Sequence, residues 1–264
     1  MTGLTDAQRA ELAQALLDAE TNRCPIDPVS TTHPDADVDD AYRISMAVTE
    51  LKRAAGRTIK GHKIGLTSKP MQRLVGTDEP DYGSLFDDWF VAEGSTVDMS
   101  RLNRPLVEVE LAFVLGGDLA GTHNNAADVI RATDFVLPAI EIVDTRYRSR
   151  STNLLVDSIA DAASCGLIVL GGRPKRLADL DLRREGAALY KNGTIEESGV
   201  AAAVMGNPVN AVVWLANKLG EFNVPIEAGN VILSGSFVKA IPFTAGDTIT
   251  ALFDTLGDVS FATA

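Results

Sequence analysis

Glu108 and Glu110 stand two residues apart inside an otherwise apolar run, Leu106-Val107-Glu108-Val109-Glu110-Leu111-Ala112-Phe113-Val114-Leu115. The Val, Leu and Phe content reads as a β-strand, in which side chains at i and i+2 share a face. The two carboxylates would then sit roughly 6–7 Å apart on one side. Held in a half-buried site they repel each other, and each loses hydration. A divalent cation relieves both penalties, because Mg²⁺ and Ca²⁺ prefer carboxylate oxygens. The same pair could also line the solvated face of an edge strand, so a third ligand is needed. Glu141, alone in Val136-Leu137-Pro138-Ala139-Ile140-Glu141-Ile142-Val143, is the candidate. A solitary Glu between two isoleucines reads as buried, and buried carboxylates need partners.

Leu51–Thr77 carries seven Lys and Arg residues plus His62 and no acid, in a chain whose net charge is −12. Lys52, Arg53 and Arg57 read as helix-surface charge. In Lys60-Gly61-His62-Lys63-Ile64-Gly65-Leu66, strand alternation puts Gly61 and Lys63 on one face and His62 and Ile64 on the other, with glycines that admit close approach. A lysine desolvated near a metal has a lowered pKa and can shuttle protons near neutral pH. Asp81, in Glu79-Pro80-Asp81-Tyr82-Gly83, reads as a turn residue. Ser234-Gly235-Ser236, after Val231-Ile232-Leu233, could present N–H and hydroxyl donors to an anionic group or simply turn the chain. GxGxxG, Walker A, GxSxG and HExxH patterns are absent, and His33, His62 and His123 lack metal-ligand spacing, which argues against a zinc site.

Elements must position these groups. Thr5-Asp6-Ala7-Gln8 has the form of a capping box opening a helix to about residue 20. A Pro-containing connection over 21–37 precedes a helix at about 39–55, with Tyr42, Met46 and Leu51 on a shared face. Strands are expected at 59–66, 106–115, 135–143, 166–170, 187–191, 230–234 and 247–262, and helices at 125–132 and 208–219. Asn207-Pro208 supplies an N-cap and a first-turn proline for the last helix. The expected organisation is an N-terminal helical region, 1–56, leading into a β-rich metal-binding body, 57–264, as one structural unit of α+β class.

At 264 residues, 45% hydrophobic and 23% charged, the chain has the composition of a globular protein with ample core. Its acidity argues against nucleic acid and anionic membranes as partners. Cys24 and Cys165, far apart and in no CxxC arrangement, suggest free thiols in a reducing compartment. The N-terminus is unlike a targeting peptide, and no apolar run approaches the ~20 residues of a membrane span, so a cytoplasmic protein is expected.

In order along the chain come Lys60–Ser68 (KGHKIGLTS), Glu79–Gly83 (EPDYG), Val107–Val114 (VEVELAFV), Pro138–Arg146 (PAIEIVDTR), Asp157–Asp161 (DSIAD), Gly199–Ala203 (GVAAA), Asn207–Ala216 (NPVNAVVWLA) and Ser234–Phe237 (SGSF). Together these resemble the 2-oxo-dienoate hydratases and 4-oxalocrotonate decarboxylases of meta-cleavage aromatic catabolism, within the fumarylacetoacetase superfamily, over about residue 39 to the end. Their runs are similar above all to the 2-oxohept-4-ene-1,7-dioate and 2-oxopent-4-enoate types of hydratase. The resemblance implies a mixed β-sandwich or roll flanked by helices. It implies Glu108, Glu110 and Glu141 as ligands of Mg²⁺ (or Mn²⁺), Lys63 as catalytic proton carrier and Asp81 as its charged neighbour. Lys60, Leu85, Ser234 and Ser236 follow as substrate-binding residues.

The reaction so implied is metal-dependent hydration of a 2-hydroxy-2,4-dienoate (or 2-oxo-4-enoate) to a 4-hydroxy-2-oxo acid. Decarboxylation of a 4-oxalocrotonate-type acid on the same scaffold is the alternative. A carbon–carbon hydrolase would need a Glu–His pair, for which His33 is the candidate. Homo-pentamers or decamers, and association with a pathway decarboxylase or hydratase, are implied as well; the intact acidic and lysine set argues against a non-catalytic subunit. The chain looks shorter than the heptenedioate type between Arg146 and Asp157, which leaves substrate length open. Arg146-Tyr147-Arg148-Ser149-Arg150 is read as a solvated loop in preference to a second carboxylate site.

Overall fold

The structure is a computed structural model that describes residues 3–149 and 154–264. Helix α1 (Asp6–Asn22) opens on the expected capping box: Thr5 Oγ1 accepts from Gln8 N–H, and Gln8 Oε1 accepts from Thr5 N–H. A short α2 (Val29–Thr32) interrupts the Pro-containing connection. Helix α3 (Val38–Ala54) has an unexpected capping box of its own, Asp37 with Asp40. Its buried face is Ala41, Tyr42, Ile44, Ser45, Val48 and Lys52, and Met46 is 42% exposed rather than sharing the face of Tyr42. Lys52 is buried because Glu20 takes its ammonium at 2.6 Å and the Trp89 ring lies 4.4 Å from it. Among the described residues, no helix is long and apolar enough to cross a membrane.

The body begins with β1 (Ile59–Gly65), α4 (Lys69–Val75), β2 (Asp81–Phe86), β3 (Phe90–Val91), β4 (Thr96–Val97) and β5 (Leu106–Leu115). It continues through α5 (Ala126–Ala132), β6 (Thr133–Val143), α6 (Leu154–Ala160), β7 (Cys165–Leu170), β8 (Gly186–Lys191), β9 (Thr194–Val200) and α7 (Pro208–Glu221). It ends with β10 (Val231–Leu233), β11 (Ile241–Pro242), β12 (Thr248–Phe253) and β13 (Gly257–Thr263). One mixed sheet runs β2-β1-β10-β5-β6-β7-β3, with β11 also on β5; a second runs β4-β13-β12-β8-β9.

The apolar runs became strands where expected, with one division: 247–262 is a hairpin of β12 and β13, turning before Gly257 at φ 87°. The expected turn at Asp81 is instead the first residue of β2, and its carboxylate is fully buried. β9 is an exposed edge strand held by pairing to β8, so its sequence carries no apolar pattern.

β5 is interior to its sheet, flanked by β6 on one side and by β10 and β11 on the other. That position removes the solvated-edge reading of Glu108 and Glu110. Val107, Val109 and Leu111, on its other face, are completely buried in the core.

His62 is also buried, on the strand side opposite Lys63, with Nδ1 lacking a partner. Burial pushes its pKa down from 6.5 to about 4. The unfolded chain therefore takes up this proton first. Stability from this group is complete above pH 6.5 and is lost as pH falls towards 4. The full difference is about 3 kcal/mol. Urea melts at pH 7.5 and 4.5 should lose about 2–3 kcal/mol more in the parent than in His62→Gln; equal losses would remove His62 as the cause.

Candidate active site

The strand register explains how distant residues share one face. Glu108 pairs directly with Glu141 across β5 and β6, and Glu110 follows two positions on. On the other side, Ala112 pairs with Leu233 of β10, and Leu233 pairs with Lys63 of β1. Lys63 pairs in turn with Gly83 of β2, and Gly65 with Asp81. Paired residues point to the same side of a sheet, so Glu108, Glu110, Glu141, Lys63 and Asp81 occupy one face. Leu85, opposite Gly61, shares it and is fully buried.

Carboxylate oxygens of Glu108, Glu110 and Glu141 lie within 4.8 Å of one another, Glu110 and Glu141 buried and Glu108 half-buried. Burial first, and then the neighbouring Glu141, raise Glu108 to about 7 and Glu110 well above the usual carboxylate range. Among the described residues, neither oxygen of Glu141 accepts a hydrogen bond from nitrogen or oxygen, and the Cys165 thiol lies beside the carboxylate. The Lys63 ammonium is 3.1 Å from Glu141 Oε1 without forming an aligned hydrogen bond, and it donates instead to Ala163 O at 2.7 Å. Asp81 Oδ2 accepts from Ser158 Oγ at 2.6 Å, while its Oδ1 is buried without a partner. Four carboxylates thus face one ammonium. Orphaned buried oxygens, an all-oxygen donor set and excess negative charge fit a hard divalent cation held by Glu108, Glu110 and Glu141.

Burial alone would depress Lys63, but Glu141, Glu108 and Asp81 outweigh it and hold the ammonium well above the ordinary range. The expected lowering is that of a lysine beside a bound cation, which would neutralise these carboxylates.

Two glycines let the pieces close together. A Cβ on Gly65 would fall 2.2 Å from Asp81 Oδ1, and one on Gly83 would fall 2.0 Å from Ala162 O. Ala162, Ala163 and Ser164 form a left-handed turn, with φ 50°, 53° and 56°. Such a conformation costs about 1–2 kcal/mol for each Cβ-bearing residue, so packing must hold it. Arg146 does much of this. Its Nε donates to Asp161 Oδ1, Nη1 to Asp144 O and Cys165 O, and Nη2 to Asp161 O. Arg146 and Tyr147 are buried, so this part of the expected solvated loop is structural; Arg148 is exposed, and Arg150 lies outside the described residues. The stretch between Arg146 and Asp157 that looked short includes residues 150–153, also outside them.

The remaining expected residues are placed elsewhere. Lys60 is exposed at the start of β1, ahead of the register shift at Gly61. Ser234 N–H donates to Leu111 O, which continues the ladder and gives Ser234 the parity of Leu111, away from the carboxylates. Ser236 Oγ is occupied with Val109 O and Val238 O. The group in that loop that does reach the site is the Gly235 N–H, donating to Glu110 Oε2 at 2.7 Å. His33 Nδ1 contacts Thr32 Oγ1 rather than a glutamate. Sequence reasoning also missed Ser158 and the Ala163 carbonyl; Ser158 lay in a quoted motif, but nothing local linked it to Asp81.

Three clustered carboxylates and a lysine on one face of a mixed sheet make a candidate metal site with an amine beside it. The chain belongs to the fumarylacetoacetate (FAA) hydrolase C-terminal family, which matches residues 42–262. It is 44% identical over 254 residues to a 2-oxo-hept-4-ene-1,7-dioate hydratase of Escherichia coli, covering 94% of this chain and 95% of that one. It is 41% identical to a 2-keto-4-pentenoate hydratase of Paraburkholderia xenovorans, covering 97% and 95%. A solved 4-oxalocrotonate decarboxylase from Pseudomonas putida G7, complexed with magnesium and adipate, superposes with a TM-score of 0.96 at 36% identity over 100% of both chains.

Proposed function

We propose that this chain is a divalent-metal-dependent hydratase. It adds water to a 2-hydroxy-2,4-dienoate, through its unsaturated ketone form, to give a 4-hydroxy-2-oxo acid in meta-cleavage aromatic catabolism. The observation that carries this reading is the single sheet face on which Lys63 meets Glu108, Glu110 and Glu141, with the Lys63 ammonium 3.1 Å from a buried Glu141 carboxylate. Whole-chain relatives above 40% identity named as hydratases support it.

Glu108, Glu110 and Glu141 would hold the ion, Mg²⁺ or Mn²⁺. When bound, the ion supplies Lewis acidity towards the 2-oxo acid and neutralises the carboxylates that now raise Lys63. Lys63 Nζ moves the proton as the dienol becomes a ketone, and Asp81 helps to hold its ammonium form. Ketonisation leaves an electrophilic alkene, and water adds at C4. The unpartnered Asp81 Oδ1 is available to orient that water or the substrate. Buried Leu85 gives the face an apolar wall. The free thiols Cys24 and Cys165 support a reducing, cytoplasmic setting.

Decarboxylation of a 4-oxalocrotonate-type acid is the second reading, favoured by the full-length match to the P. putida decarboxylase. Supplying 2-hydroxypenta-2,4-dienoate and 4-oxalocrotonate separately with Mg²⁺, and identifying the products by NMR, separates the two. Hydration predicts 4-hydroxy-2-oxopentanoate from the first. Carbon dioxide from the second, with the first untouched, would replace this reading with decarboxylation.

A further inference from the structure

We infer that Arg146 and Asp161 are a positioning pair for Lys63, acting through the left-handed turn at Ala162–Ser164; the inference rests on the reading of Lys63 as proton carrier. Among the described residues, the Lys63 amine donates one hydrogen bond, to Ala163 O at 2.7 Å, and lies 3.1 Å from Glu141. Where Ala163 O sits depends on a backbone that residues with a Cβ avoid. The turn is therefore held from outside.

Both of its ends are clamped to the segment that follows β6. Asp144 N–H donates to Ser164 O at 2.7 Å. Asp161 Oδ2 accepts from Thr145 Oγ1, Arg146 N–H and Ser164 Oγ, while its Oδ1 takes Arg146 Nε. Arg146 closes the clamp by donating to Asp161 O, Asp144 O and Cys165 O. The planar guanidinium fork spans four acceptors that an ammonium could not reach together. Across the turn, Ala162 O rests against Gly83, so the clamp also seats the turn over the β1–β2 pair. Glu141 lies near the end of β6, and Arg146 lies five residues beyond it, so the segment that carries one member of the site also locks the turn that aims the other.

Arg146 further lines a cleft of about 250 Å³ with Glu20, Arg57, Asp144 and Cys165. Truncating it to alanine leaves a space that a guanidinium ion can enter from that cleft.

The test uses Arg146→Ala, with and without millimolar guanidinium chloride, and Arg146→Lys, each read by kcat, KM, the pH profile of kcat, melting temperature and calorimetric Mn²⁺ affinity. Arg146→Ala is expected to lose about 10–100-fold in kcat, with KM and Mn²⁺ affinity nearly unchanged, and to recover when guanidinium is added. Arg146→Lys keeps the charge facing Asp161 and so is expected to fold, but its ammonium cannot span the four acceptors. It should lose kcat severalfold and shift its pH profile while KM and Mn²⁺ affinity hold. Should Arg146→Ala fail to fold, Arg146→Lys decides alone. Parental kcat in Arg146→Lys, or loss of Mn²⁺ affinity in step with kcat, would overturn the inference. Lys63→Ala turning over at the parental rate would instead sink the proton-carrier reading beneath it.

Discussion

Replacing Glu141 with glutamine is expected to lower turnover on the order of 10³-fold and to weaken Mn²⁺ binding, while the chain still folds. Glu141 is fully buried, pairs directly with Glu108 and, among the described residues, accepts no hydrogen bond from nitrogen or oxygen. Glutamine keeps its shape but not its charge. Without metal, the parent holds Glu108, Glu110, Glu141 and Asp81 against one lysine, so removing one charge relieves repulsion. Burial adds to that relief, because a paired buried charge still loses hydration. The same change removes the carboxylate 3.1 Å from Lys63, so the two effects offset and the metal-free variant should melt close to the metal-free parent. Metal-induced stabilisation follows occupancy, so the rise in melting temperature on adding Mn²⁺ should shrink or vanish in the variant. Calorimetric Mn²⁺ titration with paired melts reads both effects. Unchanged Mn²⁺ affinity would remove Glu141 from the ligand set.

Lys63→Ala is expected to behave oppositely towards the metal. Turnover should fall about 10²–10⁴-fold, the range lost with a proton-transfer group. Mn²⁺ affinity should hold or increase, since the ammonium 3.1 Å from Glu141 competes with the cation for the same carboxylate. The metal-free variant should melt lower than the parent, because the buried carboxylates have lost their counter-charge. Adding Mn²⁺ should then raise its melting temperature by more than it raises the parent's. Loss of Mn²⁺ binding would instead make Lys63 a structural support of the carboxylates.

Which features were legible before folding depends on how locally they are determined. Glu108 and Glu110 stood out as a pair, and Glu141 as a single carboxylate, inside strand-forming apolar runs, and strand periodicity then fixes their faces. Asp81 was hidden by Pro80, whose turn chemistry masked the start of β2. Lys63 was visible, but nothing local showed that carboxylates 18 to 78 residues away in sequence hold its ammonium high. Nothing in Ala162-Ala163-Ser164 announces a left-handed turn, since neither glycine nor asparagine marks it. Tertiary contacts from Arg146 and Asp161 impose it. Charge composition likewise suggested that arginines after Glu141 were solvated, whereas Arg146 found four buried acceptors.

The most direct measurement is turnover of 2-hydroxypenta-2,4-dienoate by protein stripped with a chelator and then titrated with Mg²⁺. A metal held by Glu108, Glu110 and Glu141 predicts no hydration in the stripped sample and full recovery once about one Mg²⁺ per chain is bound. Parental activity in the stripped sample, with the chelator still present, would contradict metal-dependent hydration at this site.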